Sequence, residues 1–313
     1  MFILEYFTDI FRGLYQAWQH EIDAAARDKV RVHNAQELLE RYARGERNFD
    51  DAGLRKADLR GALLAGASLR SAGLRKADLR NADLSGACLT RAFLKGADLR
   101  GANLTGTTFA YASLRGLLID EHTQIDPKWR TVWELVNLPP VDGRQLPAAD
   151  LSSSMFAGAS LKRANLVGAS LCDSSMESTD LSEANLEGAD LREANADSAN
   201  LTGANLRGAD LRQTNLGGAF LRGADLREAK LVGTDMNETD LRGADLRETV
   251  LCNTILREAN LRGAKLAGTD FINVDLSEAD LCGVNLDGAR WEGVNLEGAR
   301  LDGATMPDGS IHP

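Results

Sequence analysis

The chain has 313 residues, 36 Lys and Arg against 46 Asp and Glu, a net charge of -10 and only 5% aromatic residues. That aromatic content excludes a core built from large rings. Length alone allows two globular domains, but internal repetition replaces that reading with one repetitive body carrying an interruption.

In chain order, the first element is an amphipathic helix at the amino terminus. Ile3, Phe7, Ile10, Leu14 and Trp18 recur at helical spacing, and Phe2, Tyr6, Phe11 and Tyr15 widen the stripe. Glu5, Asp9 and Arg12 interrupt the apolar run, so it reads neither as a signal peptide nor as a membrane span. Phe7, Phe11 and Trp18 are assigned to packing on the repeats or on a second copy, with anchoring at a membrane surface as the sharper alternative. A second helix is predicted from Asn34 to Arg44. Asn34 and Glu37 form a capping-box pattern and Gly45 supplies the stop. Its Leu38, Leu39 and Tyr42 are placed to close the open edge of the first repeat. Residues 1–50 are read as this helical lead-in.

From 51 to 116 the octapeptide GLRKADLR occurs twice, at Gly53 to Arg60 and again at Gly73 to Arg80. Within that spacing lies a beat of five, in which a small residue, a polar one and a leucine precede two polar or glycine positions. Centres from Leu54 to Leu114 and from Leu151 to Met306 number 45, of which 37 are Leu. A step of five is incompatible with an amphipathic helix, where it advances about 500°, and with a flat strand, where it alternates faces. The chain must turn within every five residues, with glycine favoured at the corner. Sorted by a period of 20, the second block shows a face of its own. Phe156, Met176, Ala196 and Met236 occupy one column, and Ser154, Ser174, Thr214, Thr234 and Thr254 lie two places before that column's centres. Such a column exists only if the coil closes at that period.

These tandem A(D/N)LxG units resemble the pentapeptide-repeat family over residues 52–116 and 149–306. The resemblance implies an all-β solenoid, a right-handed quadrilateral β-helix with four pentapeptides per coil, here with N-terminal helices and one short helical insertion between two repeat blocks. The TQIDPKWR and LLERYARGERNF stretches resemble the larger cyanobacterial members of the family, which mostly lack an assigned activity.

The first block is basic, with 11 Lys and Arg against five Asp from 51 to 116. Arg55, Arg75, Lys95 and Arg115 fall in one outward column and Arg60, Arg80 and Arg100 in the next. These residues are read as a candidate docking ladder for an acidic protein surface; interleaved Asp and scarce exposed aromatics argue against nucleic acid. Residues 117–148 break the register. There TQIDPKWRTVWELVNLPP predicts a short helix with Asp126 as cap and Pro127 in its first turn. Trp129 and Trp133 on its stripe are assigned as cover for exposed core, or as a binding platform.

The second block, 149–306, carries acid toward its ends, with Arg222, Arg242 and Arg262 forming a further candidate interaction column. Phe271 and Trp291 fill one column near its end. The tail, 307–313, either caps the last coil or leaves it open for a homodimer, as members of the family often form. Cys88, Cys172, Cys252 and Cys282 are read as outward, reduced thiols of a cytoplasmic protein. The four histidines lie outside the coils, and no catalytic, cofactor or metal pattern is found.

The functional expectation is a non-enzymatic intracellular scaffold or regulator that binds a protein partner through charged faces. The alternatives are DNA mimicry, by which quinolone-resistance members of the family bind DNA gyrase, and a regulator associated with membranes through the N-terminal helix.

Overall fold

The computed structural model describes residues 31–313. The expected amphipathic helix, with Phe7, Phe11 and Trp18, lies outside the described residues. The beat of five becomes backbone geometry through four recurring hydrogen bonds per unit, one of them from the residue before the centre back to the preceding coil, as from Asp83 N to Ala62 O at 2.9 Å. The centre donates its N–H to a carbonyl of the next coil, as from Leu64 to Asp83 at 2.7 Å. The corner residue does the same, as from Gly66 to Ser85 at 2.8 Å, while the small residue donates to the preceding centre, as from Ala67 to Leu64 at 3.1 Å. Parallel bridges therefore join equivalent positions of successive coils, in four columns. The inward sites are the centre and the small residue two places before it, and both are buried throughout the interior coils. Burial of each Leu contributes roughly 1.5–3 kcal/mol, which explains how a chain with so few rings holds a core.

Where the small residue is Thr, its hydroxyl is also satisfied inside. Thr214, Thr234 and Thr254 donate through Oγ1 to the carbonyls of Leu191, Leu211 and Leu231 at 2.7, 2.8 and 2.9 Å. The Thr members of the polar column thus form an internal hydroxyl ladder linking successive coils, whereas Ser154 and Ser174 donate within their own coil, to Ser152 O at 3.1 Å and Leu171 O at 2.7 Å.

The chain forms two compact units. The first comprises residues up to Thr108 together with Leu118–Gln124. Its described part opens with Val32, whose carbonyl accepts from Gly53 N at 2.8 Å, and with helix α1, Ala35–Ala43. Asn34 caps α1 by accepting from Glu37 N at 2.9 Å. The return bond of the expected capping box is displaced by one residue, because the Glu37 carboxylate accepts from His33 N at 3.1 Å. Leu38 is buried and Tyr42 donates to the Ala65 carbonyl at 2.9 Å, but Leu39 points to solvent. Leu39 therefore does not take the closing role expected of it, since adjacent helical residues diverge by about 100°. The two short strands β1 (Asn103–Leu104) and β2 (Gln124–Ile125) pair where the first block ends.

The second unit comprises Phe109–Leu117 and Ile125–Pro313. Its first segment bonds to coils much later in sequence: Tyr111 N donates to Ser153 O at 2.9 Å, passing over the whole insertion, where a regular corner bonds to the coil that follows it directly. Helix α2, Pro127–Asn137, lies within this excursion. Trp129, Val132, Leu135 and Val136 are its buried residues, and the Trp129 ring meets Phe109 edge-on at 5.7 Å. Trp133 is half-buried and donates through Nε1 to Leu117 O at 2.8 Å. Asp126 occupies the N-cap position, but its carboxylate does not make the cap bond expected of it; its carbonyl accepts from Arg130 N at 3.0 Å. Strands β3 (Val250–Cys252), β4 (Asp270–Ile272) and β5 (Arg290–Glu292) form a parallel sheet that stacks Phe271 against Trp291, ring centroids 5.8 Å apart. The tail folds back on the last coil, with His312 N donating to Ala304 O at 2.8 Å.

Candidate functional faces

The outward positions are those flanking each centre, together with the corner. Their chemistry follows one local rule. When Asp precedes the centre and Arg follows it, the Asp carboxylate accepts from the Arg backbone N–H and takes its guanidinium in a two-pronged fork. Asp58 and Arg60 show it, with Nε and Nη2 donating at 2.8 and 2.6 Å. Asp78 with Arg80 and Asp98 with Arg100 repeat it in the first unit. In the second unit it recurs in Asp190 with Arg192, Asp210 with Arg212, Asp225 with Arg227, Asp240 with Arg242 and Asp245 with Arg247. Charge-assisted forks of this geometry hold both groups in one orientation.

The fork also sets the protonation state. Hydrogen bonding from Arg60 holds the Asp58 carboxyl down at about 2. Asp245, bonded by Arg247 and approached by Lys265 at 3.5 Å, is likewise lowered to about 2. The thiols go the other way: burial pushes Cys172 up, and the hydrogen bond to Asp280 pushes Cys282 up. Neither is activated as a nucleophile. All four cysteines are free and half-buried, less outward than expected.

The fork rule sorts the candidate residues. Arg60, Arg80 and Arg100 are each paired in a fork with Asp58, Asp78 and Asp98, at 2.6, 2.7 and 2.6 Å. Arg242 is forked by Asp240, and Arg262, preceded by Asn260, reaches Asp280 at 2.7 Å instead. Arg222 has Phe220 where Asp would stand and forms no ion pair among the described residues, with Phe220 half-exposed beside it in sequence. Arg115 belongs to the second unit, where its Nη2 donates to Ala157 O at 2.7 Å.

The remaining column is different. Arg55 and Arg75 follow Gly53-Leu54 and Gly73-Leu74, and Lys95 follows Phe93-Leu94, so no carboxylate stands in the fork position. The corners beside them carry Lys56 and Lys76. Among the described residues these five cations form no ion pair, and all five are exposed. Arg75 lies over the Phe93 ring at 5.3 Å, and that ring is itself 51% exposed. Sequence reasoning adds Lys56 and Lys76 to this basic face but misses Phe93, although the missing Asp two places before each free arginine is a readable signal.

The second unit holds the opposite arrangement. Glu238, Glu258 and Glu278 occupy the corner on three successive coils, all exposed. Asp235 and Asp275 flank Ile255 through parallel bridges, and Glu297 lies in the following coil. Arg257 is the one cation in these columns, 3.2 Å from Glu258 and 3.9 Å from Glu278. On another face of the second unit, a groove of about 410 Å³ is lined by residues including Arg192, Arg212 and Val232. Among the described residues no cluster of His, Cys, Asp and Glu could hold a metal ion, and no helix is long and apolar enough to cross a membrane.

The family model for pentapeptide repeats matches in eight copies that together cover residues 48–117 and 146–308. This chain belongs to the pentapeptide-repeat family. Among solved structures, this pentapeptide-repeat protein is similar to HetL from the cyanobacterium Nostoc sp. strain PCC 7120, described as involved in heterocyst differentiation regulation. The two are 33% identical over 89% of this chain and 99% of HetL, with a TM-score of 0.28. QnrB1, a plasmid-mediated fluoroquinolone resistance protein, is 19% identical over 52% of this chain and 89% of its own, with a TM-score of 0.29. Rfr23 from the cyanobacterium Cyanothece 51142 is 20% identical over 51% and 86%, with a TM-score of 0.16. No curated protein matches.

Proposed function

We propose that this pentapeptide-repeat protein is a non-enzymatic regulator or scaffold that binds a protein partner through a charged face, on the right-handed quadrilateral β-helix expected of its family. The observation that carries this reading is the unforked face of Arg55, Lys56, Arg75, Lys76 and Lys95. Stacking like charges on adjacent coils costs about 1 kcal/mol per neighbouring pair in water before screening. Asp in the fork position offsets that cost beside Arg60, Arg80 and Arg100 and is absent here, which leaves charge available to an acidic surface. Four free thiols suit a reducing compartment, so the cytoplasm is the proposed location.

Capture of partners from the host lysate tests this with paired variants. Arg55→Gln, Arg75→Gln and Lys95→Gln together abolish capture, whereas Arg60→Gln, Arg80→Gln and Arg100→Gln retain it. Equal capture by both triples defeats the proposal. A second reading rests on the acidic strip of the second unit: it would serve as a DNA-like surface for gyrase. Inhibition of gyrase supercoiling that is lost in Glu238→Gln, Glu258→Gln, Glu278→Gln would support it.

A further inference from the structure

The two unneutralised faces have matching properties, and we infer that the basic face of one molecule takes the acidic strip of a second copy of this chain. The inference rests on the reading of the basic face as a binding surface and names one occupant for it.

Charge comes first. Arg55, Lys56, Arg75, Lys76 and Lys95 sum to +5; Asp235, Glu238, Glu258, Asp275, Glu278 and Glu297 against Arg257 sum to -5. The whole chain is net -10, so copies repel in most orientations, and attraction is confined to the orientation that brings these faces together.

Spacing makes the match specific. Lys56 and Lys76 sit at corners with φ of 59° and 59°, and Glu238, Glu258 and Glu278 at corners with φ of 57°, 57° and 59°. All five stand two places after a centre, so their Cα–Cβ bonds leave the coil at the same kind of site. Both columns advance by one coil per step, with strand neighbours about 4.8 Å apart. Two ladders with the same step stay in register over several rungs. An unrelated acidic surface has no such repeat and meets one or two rungs.

Each face also carries one exposed apolar side chain among its charges, at the position before a centre. Phe93 is 51% exposed beneath Arg75 and two residues before Lys95, and Ile255 is 42% exposed between Asp235 and Asp275. An apolar contact inside a charged rim is the arrangement of protein interfaces. The contact joins different faces of the two partners, so each molecule has one basic and one acidic face to offer.

Sedimentation velocity on the full chain tests this. At about 50 mM salt, where screening extends over roughly 14 Å, the protein sediments as concentration-dependent assemblies, and at about 1 M salt it returns to monomer. Two variants then separate the faces. One carries Arg55→Glu, Arg75→Glu and Lys76→Glu; the other carries Glu238→Lys, Glu258→Lys and Glu278→Lys. Each alone is monomeric, and mixing them gives a one-to-one dimer, because each retains the face that the other lacks. Should a reversal disturb folding by circular dichroism, Gln at the same positions replaces it, and at least a tenfold weakening of assembly is expected. A wild-type monomer at every concentration in low salt overturns the inference, as does wild-type assembly by either variant or failure of the mixture to dimerise. A monomer whose basic face still captures a foreign acidic protein overturns this inference and leaves the proposed function standing.

Discussion

Trp129 decides whether α2 covers the core of the second unit or offers a surface ring, and its replacement by Ala is the sharpest test of that helix. The side chain is 6% exposed and packs edge-on against Phe109, which is itself fully buried. Tryptophan buries roughly 150–250 Å², and at about 25 cal/mol per Å² that is worth about 4–6 kcal/mol. Ala keeps part of that, and the site relaxes incompletely, so a loss of about 3–5 kcal/mol is expected. With a urea dependence of about 2 kcal/mol per M, the midpoint of the second unit falls by roughly 2 M. Trp133→Phe is the control. It keeps a ring and deletes the Nε1 bond to Leu117 O, costing about 0.5–1.5 kcal/mol. A midpoint change below about 0.5 M for Trp129→Ala, measured by equilibrium urea unfolding, would refute the covering role.

The forks, the hydroxyl ladder and the corner glycines each give a further expected outcome. Asp245 is held at about 2 in the folded state against an unfolded value near 3.9, so its stabilisation is present above about pH 4 and is lost as pH falls through about 2. Asp245→Asn should therefore be less stable than wild type at pH 7, by roughly 1–2 kcal/mol, and the gap should close toward pH 2 in acid unfolding; a gap constant with pH contradicts the fork. Thr234→Val keeps shape and loses the bond to Leu211 O, so urea unfolding should show a loss of about 1 kcal/mol, and an unchanged midpoint would mark the hydroxyl ladder as filler. Gly208→Ala meets no atom within 4 Å at φ +66, so its cost should be purely conformational, about 1–2 kcal/mol by denaturation, with coil spectra unchanged.

How much was legible in the sequence depended on range. The inward Leu and Ala positions, the closure of the coil on every fourth unit and the two helices are set by neighbours in sequence or by strict repetition, and all were readable. The forks were readable too: DLR gives a neutralised arginine and GLR a free one, yet pooling Arg60 with Arg55 treated the column as the unit where the tripeptide was. Arg115 could not be placed from its column, because Tyr111 and Arg115 bond to Ser153 and Ala157, an offset set by the excursion and not by the repeat. The contact of Trp129 with Phe109 was hidden for the same reason: the spacing predicts that the helix has an apolar stripe, not which ring it meets.

The closure of each coil on its fourth pentapeptide has a consequence for how such a surface can change. Every outward side chain in the second unit has an address, its place within the coil, and the bridges tie each address to one column. Loss of a single pentapeptide upstream of Asp235 would leave every downstream leucine facing inward, because the inward beat is five. It would nonetheless move Glu238, Glu258 and Glu278 to the neighbouring column, beside a different set of forks. The leucine beat survives a change that rewrites the whole pattern of charge, and the interior registers it only where its columns differ, as at Phe156, Met176, Ala196 and Met236.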